Sequence, residues 1–270
     1  MNAVTRRQFH RVAAPALAGA LLWPVRAAIA GHLDIGVGTF SYHTLSIDQM
    51  IVALKELEIS EIEMSLAEFM LMKPPTVEMC RSARAKFDQA GIRCVSYYTA
   101  TIKDDRDIDY AVRFASILGA RNVSGDATGA TLQHIDQRFT REGLTFGIHN
   151  HWFAHKFAYE STDDVLRALA GLSKTVGATL DVGQMAACGH DPVEAVRRLA
   201  GRLHVVHLKD VAAAGAEHNV LFGTGIAHIP EVMKELKKID FKGLVAIEYE
   251  KDSDSRDDMK QLVHYARALA

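Results

Sequence analysis

The chain has 270 residues, of which 49% are hydrophobic and 24% charged. That composition suits a folded chain of one large domain or two small ones and excludes a low-complexity or disordered polymer. The cysteines Cys80, Cys94 and Cys188 are odd in number and widely spaced, which excludes a paired-cysteine zinc site and reads as buried thiols without a disulfide framework.

Residues 1–30 read as a targeting segment and stand apart from the fold. Thr5-Arg6-Arg7-Gln8-Phe9 carries paired arginines, an apolar run follows from Val12 to Trp23, and Ala28-Ile29-Ala30 offers small residues for cleavage. The pattern resembles a twin-arginine signal peptide, which implies the twin-arginine export machinery as a partner and a periplasmic or exported bacterial location. The apolar run has 12 residues, against about 20 for a spanning helix, so no stable membrane anchor is expected. Residues 31–270 form the domain. The first 30 residues hold Arg6, Arg7, Arg11 and Arg26 and no acidic side chain, so the domain keeps 27 basic against 33 acidic residues, net −6. That sign argues against nucleic acid as a partner.

From Leu33 onward short apolar runs alternate with amphipathic stretches, each switch marked by Gly, Pro or a capping residue. Leu33–Val37 is the first expected strand. Ser46-Ile47-Asp48-Gln49 fits a capping box opening a helix to about Leu57. Glu61–Met64 is a second strand, and Pro74-Pro75-Thr76 starts a helix to about Ala90 closed by Gly91. Ile92–Tyr97 is a third strand, followed by a helix over Asp107–Leu118. Arg121–Ser124, Leu144–His149, Ala178–Val182, Leu203–Leu208 and Leu244–Ile247 are the remaining strands. Helices are expected over Thr131–Arg141, from Ser161 through Leu172, from Asp191-Pro192, over Ile229–Ile239 and over Arg256–Leu269. Eight strand–helix pairs in about 240 residues match a single (β/α)8 TIM barrel in the α/β class. An open doubly wound sheet is disfavoured, because no Gly-x-Gly-x-x-Gly follows the first strand.

In a barrel, the C-terminal strand ends form the active face. Strand two ends in Glu61-Ile62-Glu63-Met64-Ser65, strand five in His149-Asn150-His151, strand six in Asp181, strand seven in His207-Leu208-Lys209-Asp210 and strand eight in Glu248-Tyr249-Glu250. Strands project alternate residues to one face, so His149 and His151 point together. Asp181, His207 and Glu248 each close an apolar run, where an ionisable group is costly without a partner. A divalent cation answers that need: imidazole plus carboxylates from separate strands suits Mn²⁺, Mg²⁺, Co²⁺ or Zn²⁺. Lys209, two residues beyond His207, either projects into the same mouth to meet a substrate oxygen or lies at the surface paired with Asp210. Glu63 is either a substrate contact or a salt-bridged strand-end carboxylate. Trp152 and Phe153 could form an apolar wall over a substrate or simply pack.

Thr179-Leu180-Asp181-Val182-Gly183, Val206-His207-Leu208-Lys209-Asp210, Gly223-Thr224-Gly225 and Ala246-Ile247-Glu248-Tyr249-Glu250 together resemble the sugar phosphate isomerase/epimerase superfamily, the xylose isomerase-like barrels. The resemblance implies one divalent ion held by residues of strands five to eight. Asp181, His207 and Glu248 match three of those positions, and His149 stands at the first, as in the branch whose fifth strand reads His-Asn-His. His149 is thus the fourth expected ligand and His151 the substrate or acid/base contact, with their roles exchangeable. Gln184 replaces a histidine the family often carries, and Ala154 an acidic residue common in the His-Asn-His branch, which bears on substrate identity.

Family members act on ketoses or related carbonyl compounds by enolisation. The resemblance therefore implies a metal-dependent isomerase or epimerase acting on a ketose or keto-sugar through an enediolate. The family's epimerases use two metal-bound glutamates as an acid/base pair, and here only Glu248 matches. An asymmetric reaction, dehydration or 3-keto-glycoside cleavage with His151 as a proton carrier, is the alternative. A non-catalytic exported sugar-binding barrel is a further alternative, and the net charge weighs against the superfamily's DNA-binding endonuclease branch.

Overall fold

The computed structural model describes residues 31–65, 75–99, 101–127, 129–151 and 158–270. The expected signal peptide at 1–30, and with it Pro74, Trp152, Phe153 and Ala154, lie outside those residues. Strands β1 (Asp34–Gly38), β2 (Glu61–Met64), β3 (Arg93–Tyr98), β4 (Asn122–Gly125), β5 (Thr145–His149), β6 (Val176–Asp181), β7 (Leu203–Leu208) and β8 (Leu244–Ile247) pair in sequence order. Every pairing is parallel, and β8 returns to β1 with Val37 beside Ile247, closing the barrel. The (β/α)8 expectation is met.

Helices follow the strands, and local chemistry sets their ends. Helix α1 (Ile47–Glu56) opens on the full capping box of Ser46 and Gln49, and α2 (Val77–Ala90) on the Thr76 hydroxyl. Asp104 caps α3 (Asp105–Leu118) through two backbone N–H groups, two residues earlier than the sequence alone marks it. Helix α4 (Ala130–Glu142) has no side-chain cap, which is why its start is weakly signalled. A second capping box, Ser161 with Asp164, opens α5 (Thr162–Ala168); the helix stops four residues short of Leu172, and Gly171 in the turn takes a φ of +79°. Helix α6 (Val182–Ala187) was not anticipated. Helices α7 (Pro192–Leu199), α8 (Ile229–Lys238) and α9 (Arg256–Leu269) complete the ring. No helix among the described residues is long and apolar enough to cross a membrane.

The main apolar core lies between sheet and helices and includes Ile62, Phe87, Phe139, Phe146, Leu180 and Val206, all buried. Cys80 and Cys94 are buried free thiols, as expected, whereas Cys188 is half-buried. Within the barrel, Val205, Leu244 and Ala246 form a separate apolar cluster. Barrel lumens are usually filled by bulky branched residues, but this one carries a polar layer of Glu63, Ser96, Ser124, Thr179 and His207. Glycine makes room for it: a Cβ at Gly147 would lie 2.2 Å from the Thr179 hydroxyl.

Candidate metal centre

Period-two alternation puts His149, Asp181 and His207 on the inner face at the C-terminal ends of β5, β6 and β7. All three are buried, and one ligand atom from each lies within 4.8 Å of the others. His149 Nε2 is 3.0 Å from His207 Nδ1 and 3.8 Å from Asp181 Oδ2. Burial holds the His149 imidazole well below its ordinary pKa, and the neighbouring His151 and His207 push the same way, so it is neutral with a lone pair to offer. His207 moves in the opposite direction: burial opposes its charging, but Glu63 and Glu248 outweigh that and hold it well above the usual value.

Asp181 serves two purposes with its two oxygens. Oδ1 accepts the Gln184 backbone N–H at 2.8 Å and caps α6. Oδ2 is fully buried without a hydrogen bond of proper geometry, although Lys209 Nζ lies 3.2 Å away. Burial raises the Asp181 pKa despite that lysine. Asn150 fixes this strand end, since its side chain accepts the Asp181 backbone N–H and donates to the Asp181 carbonyl, both at 2.9 Å.

A buried carboxylate oxygen that accepts no well-formed hydrogen bond, close to two imidazole nitrogens, is a donor set that fits a divalent transition metal. The expected fourth member, Glu248, stands beside this group, with Oε2 3.4 Å from His207 Nδ1 and 2.9 Å from Lys209 Nζ. Lys209 and His207 hold the Glu248 carboxyl well below its ordinary pKa, overcoming burial.

Lys209 is only 1% exposed. Its ammonium meets Asp181, Glu248 and, at 2.6 Å, Glu250, and those carboxylates keep it protonated against the cost of burial. It is therefore neither at the surface nor paired with Asp210. Asp210 instead accepts the backbone N–H groups of Val211, Gly223, Gly225 and Ala227 at 3.0–3.1 Å and folds the loop after β7. That is the structural use of Gly223-Thr224-Gly225.

Glu63 does not reach the mouth. It is 1% exposed, accepts from Ser96 and Ser124 and bonds His207 Nε2. Of its two expected settings, the ion-paired one is observed, because the inner face of β2 lies across the barrel from β7.

His151 stands at the rim, with Nε2 2.9 Å from His149 Nδ1. Burial lowers its pKa to about 4, so it is a neutral imidazole near neutral pH. Two side chains that the sequence did not single out join it. The Tyr98 hydroxyl is 3.0 Å from His151 Nε2 and 3.4 Å from His149 Nδ1, and burial keeps the phenol protonated far above the usual range. Asp126 Oδ2 is 3.7 Å from His151 Nε2, and burial raises the Asp126 pKa to about 7. Tyr98 falls one residue beyond the strand end expected from sequence, although Ser96 and Tyr98 share the inward spacing.

Comparison with known proteins agrees with this architecture. Residues 51–269 match the xylose isomerase-like TIM barrel family. The rhizopine catabolism protein MocC of Rhizobium meliloti is 27% identical over 148 residues, covering 49% of this chain and 45% of that protein. The chain thus matches less than half the length of that relative. Among solved structures, a probable 3-DHS dehydratase, AsbF, from Bacillus anthracis superposes with a TM-score of 0.72 at 13% identity, over 87% of this chain and 99% of its own. An L-ribulose 3-epimerase gives a TM-score of 0.72 at 14% identity, over 88% and 94% of the two chains. With a closed eight-stranded parallel barrel and a family match over most of its length, the chain belongs to the xylose isomerase-like TIM barrel family.

Proposed function

We propose that the protein is a divalent-metal-dependent sugar isomerase or epimerase that moves a proton next to the carbonyl of a ketose or keto-sugar. The observation that carries this reading is the cluster of the buried Asp181 carboxylate with two buried imidazoles, one ligand atom of each within 4.8 Å of the others. His149, Asp181 and His207 would hold the ion, with Glu248 beside them. Bound there, a divalent cation would supply Lewis acidity toward a carbonyl oxygen.

The remaining chemistry belongs to the chain. Glu248, held ionised by Lys209 and His207, is placed to take a proton. His151 is neutral and within hydrogen-bonding distance of the Tyr98 hydroxyl. Asp126, with its pKa raised to about 7, lies 3.7 Å from His151 Nε2 as the group suited to supply a proton through it. Lys209 keeps Asp181 and Glu248 from repelling each other.

This asymmetry, one carboxylate together with an imidazole instead of two carboxylates, favours dehydration or 3-keto-glycoside cleavage as a second reading. Loss of a β-substituent uses a base at the carbon and an acid at the leaving oxygen, two tasks that unlike groups can divide. Residues 1–30 are assigned as a twin-arginine signal peptide, with cleavage and periplasmic fractionation as the check. The functional test is incubation of Mn²⁺-loaded protein with ketoses and 3-keto-glycosides in D₂O. Deuterium at a carbon next to the carbonyl supports enolisation, and elimination products select the second reading. Binding of a sugar without exchange or product would replace both by the sugar-binding alternative.

A further inference from the structure

We infer that Glu63 is a positioning residue for His207: from the opposite wall of the barrel it holds Nε2 and so presents Nδ1 to the candidate metal centre. The consequence for metal rests on the reading above, whereas the hydrogen bond itself does not.

An imidazole can ligate through either nitrogen, and the partner of one decides which is left for the metal. His207 Nε2 donates to Glu63 Oε2. Its Nδ1 then faces His149 Nε2 at 3.0 Å and Glu248 Oε2 at 3.4 Å. The Glu63 carboxyl is itself fixed, because Oε1 accepts from the Ser96 hydroxyl at 2.7 Å and the Ser124 hydroxyl at 2.6 Å. Ser124 Oγ is in turn 2.6 Å from the hydroxyl of Thr179. Thr179 stands two residues before Asp181 on the same face of β6. The chain of hydrogen bonds thus crosses the lumen from β2 through β3 and β4 to β6, with the bond to His207 on β7. Three of the strands it ties, β2, β3 and β4, supply no candidate ligand. A lumen filled with branched apolar side chains would pack as well but would leave the ring of His207 free to turn. Glu63 is too deeply buried to meet a substrate at the mouth.

The test uses the full domain and two readouts. In metal-free protein, long-range ¹H–¹⁵N correlation of the histidine rings should show a hydrogen-bonded proton on His207 Nε2. That signal should weaken in Glu63→Gln and be lost in Glu63→Leu. In Co²⁺ titrations followed by visible absorption, Glu63→Leu should bind about 10- to 100-fold more weakly, with Glu63→Gln between it and the wild type. In a His207→Ala background the Glu63→Gln substitution should cost nothing further. If Glu63→Leu does not fold, Glu63→Gln and its double mutant carry the test. Unchanged ring signals in the Glu63 variants, or an equal loss of Co²⁺ affinity with and without His207, would overturn the inference. Failure of the wild type to bind Co²⁺ would instead defeat the metal reading, and the ring-nitrogen signals would still decide the role of Glu63.

Discussion

Asp126→Asn should stabilise the metal-free protein, and more so at higher pH. Asp126 is mostly buried, its Oδ1 has no hydrogen-bond partner, and burial raises its pKa from 3.8 to about 7. A carboxyl raised on folding contributes fully below its unfolded pKa, and that contribution is lost as pH climbs through the folded value. Stability therefore falls between about pH 4 and 7 as the unfolded chain gives up a proton that the folded chain retains. At about 1.4 kcal/mol per pKa unit, the cost gained between pH 5 and pH 8 is about 2–3 kcal/mol. Asparagine has nearly the same shape and no proton to lose. Urea unfolding with EDTA at the two pH values should show Asp126→Asn gaining about that much on the wild type as pH rises. An equal effect at both pH values would refute the argument, because it would mean that Asp126 ionises normally in the folded protein.

Lys209→Met leaves Asp181 and Glu248 facing each other without their buried ammonium, and should cost about 3–5 kcal/mol. Mn²⁺ should then raise the melting temperature more than in the wild type; equal shifts in both would contradict the assigned role. Asp210→Ala strips the acceptor from four backbone N–H groups and should cost on the order of 3 kcal/mol in urea unfolding, with a loss under about 1 kcal/mol counting against it. His149→Ala should abolish retention of metal through gel filtration. His151→Ala should keep the metal and lose about 10²- to 10⁴-fold in turnover; the reverse pattern in elemental analysis and kinetics would exchange the two roles.

The barrel was legible because its signals are local. Glu61–Met64, Leu203–Leu208 and Leu244–Ile247 are bounded by the same residues in sequence and structure, and Ser46 and Ser161 mark helix starts through their own side chains. Less legible were residues whose role depends on another strand. Asp181 ends a strand and caps α6 at once, so the apolar run through Val182 hid the helix. Lys209 and Asp210 are sequence neighbours of opposite charge, yet strand alternation sends one into the barrel and the other into the loop. Asn150, between two inward histidines, points away from them to clamp β6, a role visible only once β5 and β6 lie side by side. Tyr98 and Asp126 sit just past the expected ends of β3 and β4, where sequence-based boundaries are weakest.

His149, Asp181 and His207 are expected to hold a divalent cation. Crystals grown with MnCl₂ and measured at the manganese absorption edge should give one strong anomalous peak within ligand distance of all three side chains. No peak there, or a peak only elsewhere, would contradict it.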